Sequence, residues 1–269
     1  FNSNWLGKGP KTEQFIKEHA KLYMKIRNNV MTEAKIKNID SHFSELRKRI
    51  IFSLIVYLIA TILGFVFHRN ILSLMVQPVT EINQLSQGLP VFTNITEFWS
   101  VVMKVSMLSG LLLSFPIISY QVLAFILPGL KSNEKNFIII LLPGSIISFY
   151  VGAAFGFFVL LPPAIKFLVY FGGDISEPLI RIGSLVQLTI NLMMWMGVCF
   201  QLPIIMYILA LIKVVDSKKL SRFRKYFLIF SFILGAVITP TFDPINQILV
   251  ALPIMLLYEV GILLSRTRK

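Results

Sequence analysis

The sequence predicts an all-α, polytopic membrane protein with six transmembrane helices. Hydrophobic residues make up 55% of the 269 residues and charged residues only 14%, whereas a soluble domain carries about 25% charged residues. The apolar residues also fall in runs of roughly 20, the length that crosses a hydrocarbon core of about 30 Å. These runs are too long and too uniform for the alternating pattern of a membrane β-barrel.

Each of the six apolar runs is predicted to form one membrane-spanning helix. The first follows a polar and basic stretch without a secretory signal pattern, so we expect it to be retained. The fifth is the shortest, because Lys225 and Pro240 bound it closely. The predicted spans cover about residues 50–68, 100–128, 137–161, 187–212, 226–240 and 246–264.

Three parts of the chain differ in composition. Residues 1–39 form a basic N-terminal extension, residues 40–266 hold the six predicted helices, and residues 267–269 are a basic tail. The two longer connections on the side away from the termini cover about 69–99 and 162–186. The first is expected to contain short surface helices, and the second is expected to begin at Pro162-Pro163.

The distribution of Lys and Arg predicts the orientation. All but four of the 26 basic residues lie in the termini or in the two connections predicted on the same side as the termini. Under the positive-inside rule, both termini are then cytoplasmic, or stromal or matrix-facing in an organelle. The net charge of +13 also favours contact with anionic lipid. Nucleic acid is excluded as a partner, because the aromatic residues lie in the spans rather than among the cations.

Few polar residues lie at membrane depth. Gln201 lies within the fourth span, where such a group faces either a neighbouring helix or a wet cavity. Glu259 lies near the end of the sixth span, where Arg266 is its expected partner. Lys104 and Lys166 are expected to extend their ammonium groups outward to the membrane surface. Cys199 is the single cysteine, so no intrachain disulfide can form.

No arrangement of catalytic residues is found. The three histidines lie outside the span interiors, and neither H-E-x-x-H nor G-x-S-x-G occurs. The sequence therefore predicts no enzyme, no cofactor and no metal site. A secondary transporter or ion-coupled permease is the alternative function, and Gln201-Leu202-Pro203 is the candidate helix break that it requires. A purely structural scaffold is the third possibility.

Two charged segments lie where a predicted helix meets water. Residues 41–49 read S-H-F-S-E-L-R-K-R before the first span, which is typical of a basic membrane anchor and includes the i,i+4 pair of Glu45 and Arg49. Residues 125–134 read F-I-L-P-G-L-K-S-N-E after the second span, so Glu134 is a carboxylate among cations. Such a carboxylate is suited to receive a cationic segment of another protein.

Several segments resemble, in order and in spacing, the signature motifs of the TatC family of twin-arginine translocase proteins. Residues 41–49 are similar to its H-L-x-E-L-R-x-R pattern, and residues 114–135 to its P-x-x-x-Y-Q-x-x-x-F-x-x-P-x-L-x-x-x-E pattern. The resemblance covers about residues 40–266. The other similar segments are Gln77-Pro78, Thr96-Glu97-Phe98, F-Q-L-P (200–203), T-P-T-F-D-P (239–244) and L-Y-E-V-G (257–261).

The resemblance implies a receptor for the paired arginines of signal peptides on folded export substrates. It further implies assembly with single-span partners of the TatA and TatB type, self-association, and transport driven by the proton-motive force. The expected location is a bacterial plasma membrane, a thylakoid membrane or a mitochondrial inner membrane, as an integral multi-pass protein.

The resemblance also assigns residues to roles. Glu45 and Glu134 match the signal-binding carboxylates, Phe125 matches the adjacent aromatic position, and Arg47 and Arg49 match the nearby basic positions. Gln201 stands where many relatives carry Glu, so this chain has no ionisable group at that position. The polar positions implied for partner or intramembrane contacts are Gln201, Glu97, Asp243 and Glu259.

Overall fold

The structure, a computed structural model, describes residues 19, 21, 43–80, 90–126, 136–170, 180–239 and 244–266, without the side chains of 78–80 and 136–140. Within these ranges the chain is helical apart from short connections and one isolated bridge pair, Val91 with Arg181. The helices are α1 (Phe43–Val66), α2 (His68–Thr80), α3 (Ile95–Ile126), α4 (Asn136–Phe155), α5 (Leu161–Tyr170), α6 (Ile182–Cys199), α7 (Leu202–Leu211), α8 (Ser217–Ile238) and α9 (Pro244–Arg266).

The chain divides into two compact units, Phe1–Ile51 and Phe52–Lys269. The described part of the first unit is mainly the beginning of α1. The second unit holds the packed helices and two main clusters of buried apolar side chains. One cluster lies among α5, α6 and α9, and the other joins α2 and α3 to α6.

The all-α membrane architecture is confirmed for the part of the chain that the structure describes. Five helical segments are long and apolar enough to cross a membrane: Phe43–Val66, Ile95–Ile126, Leu141–Tyr170, Ile182–Leu211 and Pro244–Arg266. They correspond to five of the six predicted spans. Their outward-facing side chains are predominantly large and hydrophobic, as contact with lipid requires.

All but the last two residues of the predicted fifth span lie within α8, which is longer than its apolar part. The helix runs over 22 residues, Ser217–Ile238, and begins well before the expected start near Tyr226. Its first turns carry Lys218, Lys219 and Arg222, and both Lys and Arg have high helix propensity. The helix therefore includes the basic segment before Tyr226, which hydropathy alone assigned to a connection.

The predicted connection at 162–186 was wrong at its beginning. Pro162 and Pro163 lie in the first turn of α5, which continues from α4 through one π-helical segment, Gly156–Leu160. The Leu161 N–H donates to the carbonyl of Gly156, five residues back. This wider turn lets two prolines, which lack N–H donors, follow without a break. The third apolar segment consequently extends to Tyr170.

The connection predicted at 69–99 does contain a helix, as expected. α2 follows α1 after Phe67, and buried Met75 anchors it to α3 and α6. The segment before α3 pairs with the segment before α6. The Val91 N–H donates to Ile180 O at 3.1 Å, and the Ile182 N–H donates to Val91 O at 3.2 Å.

Two glycines bring α4 and α6 into close contact. A Cβ added at Gly152 would lie 2.6 Å from Met196 O, and one added at Gly156 would lie 2.6 Å from Leu192 O. The two glycines form a G-x-x-x-G pattern, which allows close backbone approach between membrane helices. This contact fixes the position of α6 next to α4, and with it the polar residues described below.

Candidate functional site

Gln201 lies at a break in the fourth apolar segment. α6 ends at Cys199, α7 begins at Leu202, and Pro203 occupies the second position of α7. Proline fits the first turn of a helix, where its missing N–H has no intrahelical partner. The break that the sequence suggested is therefore only a two-residue turn, Phe200 and Gln201, whose backbone stays in the right-handed helical region. It holds the Gln201 side chain between two helices.

A chain of hydrogen bonds connects Gln201 to α4 and α3. The Ser145 hydroxyl donates to Gln201 Oε1 at 2.7 Å, and Gln201 Nε2 donates to the Ser145 backbone carbonyl at 3.0 Å. The Ser119 and Ser145 hydroxyls lie 2.9 Å apart. Because the Ser145 proton is used towards Gln201, Ser119 is the donor in that pair. Three helices are thus joined by one polar connection.

The orientation of the Gln201 amide follows from its partners. The Ser145 carbonyl can only accept a hydrogen bond, so the NH₂ group must face it. One of the two amide protons is used there, and the second donates to no residue that the structure describes. The two serines are almost fully buried, with 6% of each exposed, whereas Gln201 is half-buried.

A groove of about 310 Å³ lies directly over this polar connection. We call it the Gln201 groove. Ser119, Ser145 and Gln201 are the polar residues lining it, and the other lining residues are apolar and belong to α3, to α7 or to the residue that follows α7. The apolar lining consists of Phe115, Ile118, Val122, Leu123, Ile126, Ile204, Ile205, Ile208, Leu209 and Ile212.

At the beginning of α1, Glu45 and Arg49 form the predicted i,i+4 ion pair. Arg49 Nη2 and Nε lie 2.7 Å and 3.1 Å from the same oxygen, Glu45 Oε1. Neither a hydrogen bond nor an ion pair joins Glu45 Oε2 to a residue that the structure describes. Both side chains are partly exposed, 39% for Glu45 and 26% for Arg49, and Arg47 is exposed. The carboxylate is therefore accessible while it already binds one guanidinium.

Phe125 occupies the last turn of α3 and is half-buried. The loop that follows it, with Glu134, lies outside the described residues, as does Asp243. That Glu45 and Glu134 act together therefore stays a prediction.

Glu97 joins two segments that are far apart in the sequence. Its Oε2 accepts hydrogen bonds from the N–H and the hydroxyl of Thr93, both at 2.9 Å, and its Oε1 accepts one from the Gly183 N–H at 3.0 Å. Arg181 Nη2 lies 3.6 Å from Oε2. Only 8% of the Glu97 side chain is exposed. The carboxylate thus holds the start of α3 against the start of α6.

The expected partner of Glu259 was wrong. Arg224 of α8, rather than Arg266, binds Glu259, with 2.7 Å between Nη2 and Oε2. Arg266 instead donates to the Ser221 hydroxyl at 3.2 Å. Tyr258 donates its hydroxyl proton to Leu220 O at 2.8 Å and stacks on Phe227. These contacts join α8 to α9 along the basic part of α8.

The other predicted polar positions make no cluster in the described ranges. Lys104 and Lys166 are exposed, and Cys199 is a buried free thiol. A group of three or more His, Cys, Asp or Glu side chains suited to a metal ion does not occur among the residues that the structure describes. The polar connection at Gln201, with the groove above it, is the most developed candidate site.

The sequence pattern singled out Gln201 but gave no indication of Ser119, Ser145 or Arg224. Ser145 follows Pro143-Gly144 within an apolar run, and Ser119 precedes Tyr120-Gln121 in another. Serine is common in membrane helices, where it usually bonds to its own backbone. The only available signal was that three polar groups lie at similar depths in three spans.

The chain matches one protein family over most of its length. The profile of the Sec-independent protein translocase protein family, TatC, matches residues 41–253. A Sec-independent protein translocase protein TatC from Carboxydothermus hydrogenoformans is 38% identical over 234 residues, which is 87% of this chain and 95% of that protein. An uncharacterized tatC-like protein, ycf43, from Gracilaria tenuistipitata is 37% identical, over 85% of this chain and 94% of that protein.

A solved structure shares the fold. The crystal structure of a protein described as the twin arginine translocase receptor TatC superposes with a TM-score of 0.75 at 34% identity. The match covers 84% of this chain and 98% of that one. The agreement extends over nearly the whole of the matched protein, so the helices described above follow the fold of that receptor.

Proposed function

Because the chain belongs to the TatC family of Sec-independent protein translocase proteins, we propose that it is the signal-peptide receptor of a twin-arginine translocase. The observation that carries this proposal is the geometry at Glu45. Its carboxylate binds the Arg49 guanidinium through Oε1 alone, and Oε2 bonds to no described residue. Glu45, the motif position that is expected to bind an arginine of the signal, therefore already binds a guanidinium in this structure.

The chemistry favours arginine over lysine. A guanidinium presents five donors in a planar fork, which a carboxylate accepts through two parallel bonds, whereas an ammonium is a point charge. We propose that Glu45 and Glu134 each receive one arginine of the signal. Arg49 orients the Glu45 carboxylate, and the exposed Arg47 lies near it on α1 but on a different face of the helix. Phe125 supplies an apolar and aromatic surface for the rest of the peptide.

We further propose that the Gln201 groove receives the helix of a single-span partner of the TatA or TatB type. The groove is lined by apolar side chains, as a lipid-facing helix requires, and its floor carries the amide of Gln201 with one spare N–H donor. A partner helix with a polar side chain at matching depth would satisfy that donor. In hydrocarbon such a bond contributes about 0.6 kcal/mol on average, so it would bias the register of a partner helix held mainly by apolar packing.

The membrane arrangement proposed here has six spans with both termini on the cytoplasmic, stromal or matrix side. α8 supplies the additional span, with its basic first turns on the same side as the termini. This arrangement places Glu45, Glu134 and the connection between α7 and α8 on the same, positively charged side of the membrane. The proton-motive force would act on the assembled translocase, and not through Gln201, which cannot ionise.

A transporter function receives less support. The break at Gln201 is a feature that transporters use, but they place ionisable groups beside it. Among the described residues that line the Gln201 groove, none is charged. The polar connection consists instead of hydrogen bonds between neutral groups.

Peptide binding to the purified chain tests the receptor proposal. Charge-assisted hydrogen bonds contribute roughly 1.5–3 kcal/mol. Glu134→Gln, which keeps the shape of the side chain, should therefore lower the affinity for a twin-arginine peptide by about ten-fold to a hundred-fold. Asp216→Asn is the matched control, because Asp216 is an exposed carboxylate in the connection between α7 and α8. Unchanged binding by Glu134→Gln, or an equal loss in the control, would overturn the assignment.

A further inference from the structure

A second groove lies beside α2, near the C-terminal end of α1. We call it the α2 groove. Its volume is about 440 Å³, within the range of about 300–1,000 Å³ that is usual for ligand sites. Its walls are mostly apolar, and they include Leu72 and Val76 of α2, Phe92 and Phe98 from around the start of α3, and Ile182 of α6.

Two basic side chains lie at one edge of the α2 groove. His68 and Arg69 occupy the first turn of α2, and both line the groove. The His68 Nδ1 atom lies 2.6 Å from the carbonyl of Phe65. A carbonyl only accepts, so Nδ1 carries the proton and Nε2 is left for another partner. Arg69 forms no ion pair with any residue that the structure describes, and no acidic residue is among the described residues lining the groove.

The groove lies where the bundle meets the membrane surface. α1 ends at Val66 and α3 begins at Ile95. In the adjoining turns, Phe65 stacks on Trp99 with 6.3 Å between ring centroids, and 60% of Trp99 is exposed. Tryptophan is enriched at the boundary between hydrocarbon and headgroups. Arg69 lies one turn beyond Phe65 and past the end of α1, a position that suits a guanidinium at headgroup level with the apolar walls facing the acyl region.

We propose that the α2 groove binds one anionic glycerophospholipid. The phosphate of the headgroup accepts hydrogen bonds from the Arg69 guanidinium, and one acyl chain lies along the apolar walls. Charge complementarity selects the occupant, because the basic edge is not balanced by any acidic residue among the described lining and guanidinium forms strong bidentate bonds with phosphate. A bound lipid here would brace α2 against α3 and α6.

Lipid retention by the purified chain, measured by native mass spectrometry, tests this proposal. The protein is equilibrated with equal amounts of phosphatidylglycerol and phosphatidylcholine in mild detergent, with inorganic phosphate as a separate competitor. We expect one phosphatidylglycerol to remain bound preferentially and to resist displacement by phosphate. Arg69→Gln should reduce its retention by about ten-fold or more.

Two further variants make the result decisive. Ser73→Trp fills the groove from an exposed position on α2 and leaves both basic residues in place. It should also abolish lipid retention, and it therefore tests the proposal independently if Arg69→Gln does not fold. Lys104→Gln is the matched control, because it removes an exposed cation of α3 that does not line the groove. Normal retention in Ser73→Trp, equal retention of the two lipids, or an equal loss in Lys104→Gln would overturn the proposal.

Discussion

Gln201 and Ser145 are joined by two hydrogen bonds that run in opposite directions, although they lie 56 positions apart in the chain. The serine hydroxyl donates to the amide oxygen, and the amide nitrogen donates to the serine carbonyl. The Ser145 carbonyl belongs to the α4 backbone, so the amide contacts the helix itself as well as a side chain. This pair makes Gln201 a fixed feature of the groove floor.

Gln201→Leu should weaken assembly with a single-span partner while the chain still folds and inserts. The substitution removes the spare N–H donor but keeps a similar volume, and the lost interhelical bonds cost only about 0.6 kcal/mol each on average. Co-purification of the partner from membranes measures the effect. Gln187→Leu is the control, because Gln187 is half-buried like Gln201, but it lies within α6 and bonds to Asn191 on its own helix. Full assembly by Gln201→Leu would show that this residue only packs locally.

Arg49→Gln should raise the affinity of the chain for a twin-arginine peptide by about two-fold. Arg49 and the signal arginine compete for one carboxylate, and an exposed i,i+4 pair contributes about 0.3–0.5 kcal/mol. Glu45→Gln should act in the opposite direction, with a loss of about ten-fold or more. Titration of a labelled peptide against each variant measures both. A loss of affinity in Arg49→Gln equal to that in Glu45→Gln would mean that Arg49 contacts the peptide directly.

Glu97→Gln should loosen the junction between the starts of α3 and α6. The neutral amide keeps the shape but loses the charge-assisted hydrogen bonds from Thr93 and Gly183, which are stronger than bonds between neutral groups. Faster hydrogen exchange at the Gly183 amide measures the change. Arg181→Gln should have a much smaller effect, under about 1 kcal/mol, since Arg181 is half-exposed and 3.6 Å from the carboxylate. An unchanged exchange rate at the Gly183 amide in Glu97→Gln would show that Glu97 does not hold the starts of α3 and α6 together.

Gly152→Ala and Gly156→Ala should each destabilise the helix bundle by about 1–3 kcal/mol, the usual cost of overpacking a close contact. The added methyl group meets backbone oxygens of α6, which cannot move aside as a flexible side chain would. Thermal unfolding in detergent measures the loss. Gly144→Ala in the same helix is the control, because nothing lies within 4 Å of its added Cβ. That variant should be neutral or slightly stabilising, and a comparable loss there would indicate a general sensitivity of α4.

The membrane architecture followed from the sequence because hydropathy and length are local properties. Helix ends were less predictable. Pro162-Pro163 is typical of a loop, and the π turn that admits it into a helix has no sequence signature of its own. The basic residues after Asp216 are typical of a connection, although Lys and Arg favour helix as well as water. In both cases the predicted helix was too short, because the amino-acid composition changes at that point while the backbone stays helical.

The candidate site was predictable to the extent that a residue is unusual by itself. Gln201 stands out because amides are rare in an apolar run. Ser119 and Ser145 do not stand out, and only the packing of α3, α4 and α6 brings them to the amide. The partner of Glu259 was mistaken for a similar reason. Spacing along α9 favoured Arg266, whereas the adjacent helix supplies Arg224 from 35 positions away.

The π turn changes which residues of the third apolar segment face the protein. Its one extra residue rotates everything beyond it by about 100° relative to an uninterrupted α-helix. Val159 is consequently 51% exposed, while Leu161 and Ala164 are 0% and 3% exposed. The apolar stripe that starts at Phe149 resumes one position late and continues to Val169. A single-residue change in chain length at this turn would therefore rotate α5 by about 100° and move part of its bundle-facing surface towards the lipid, without altering its composition.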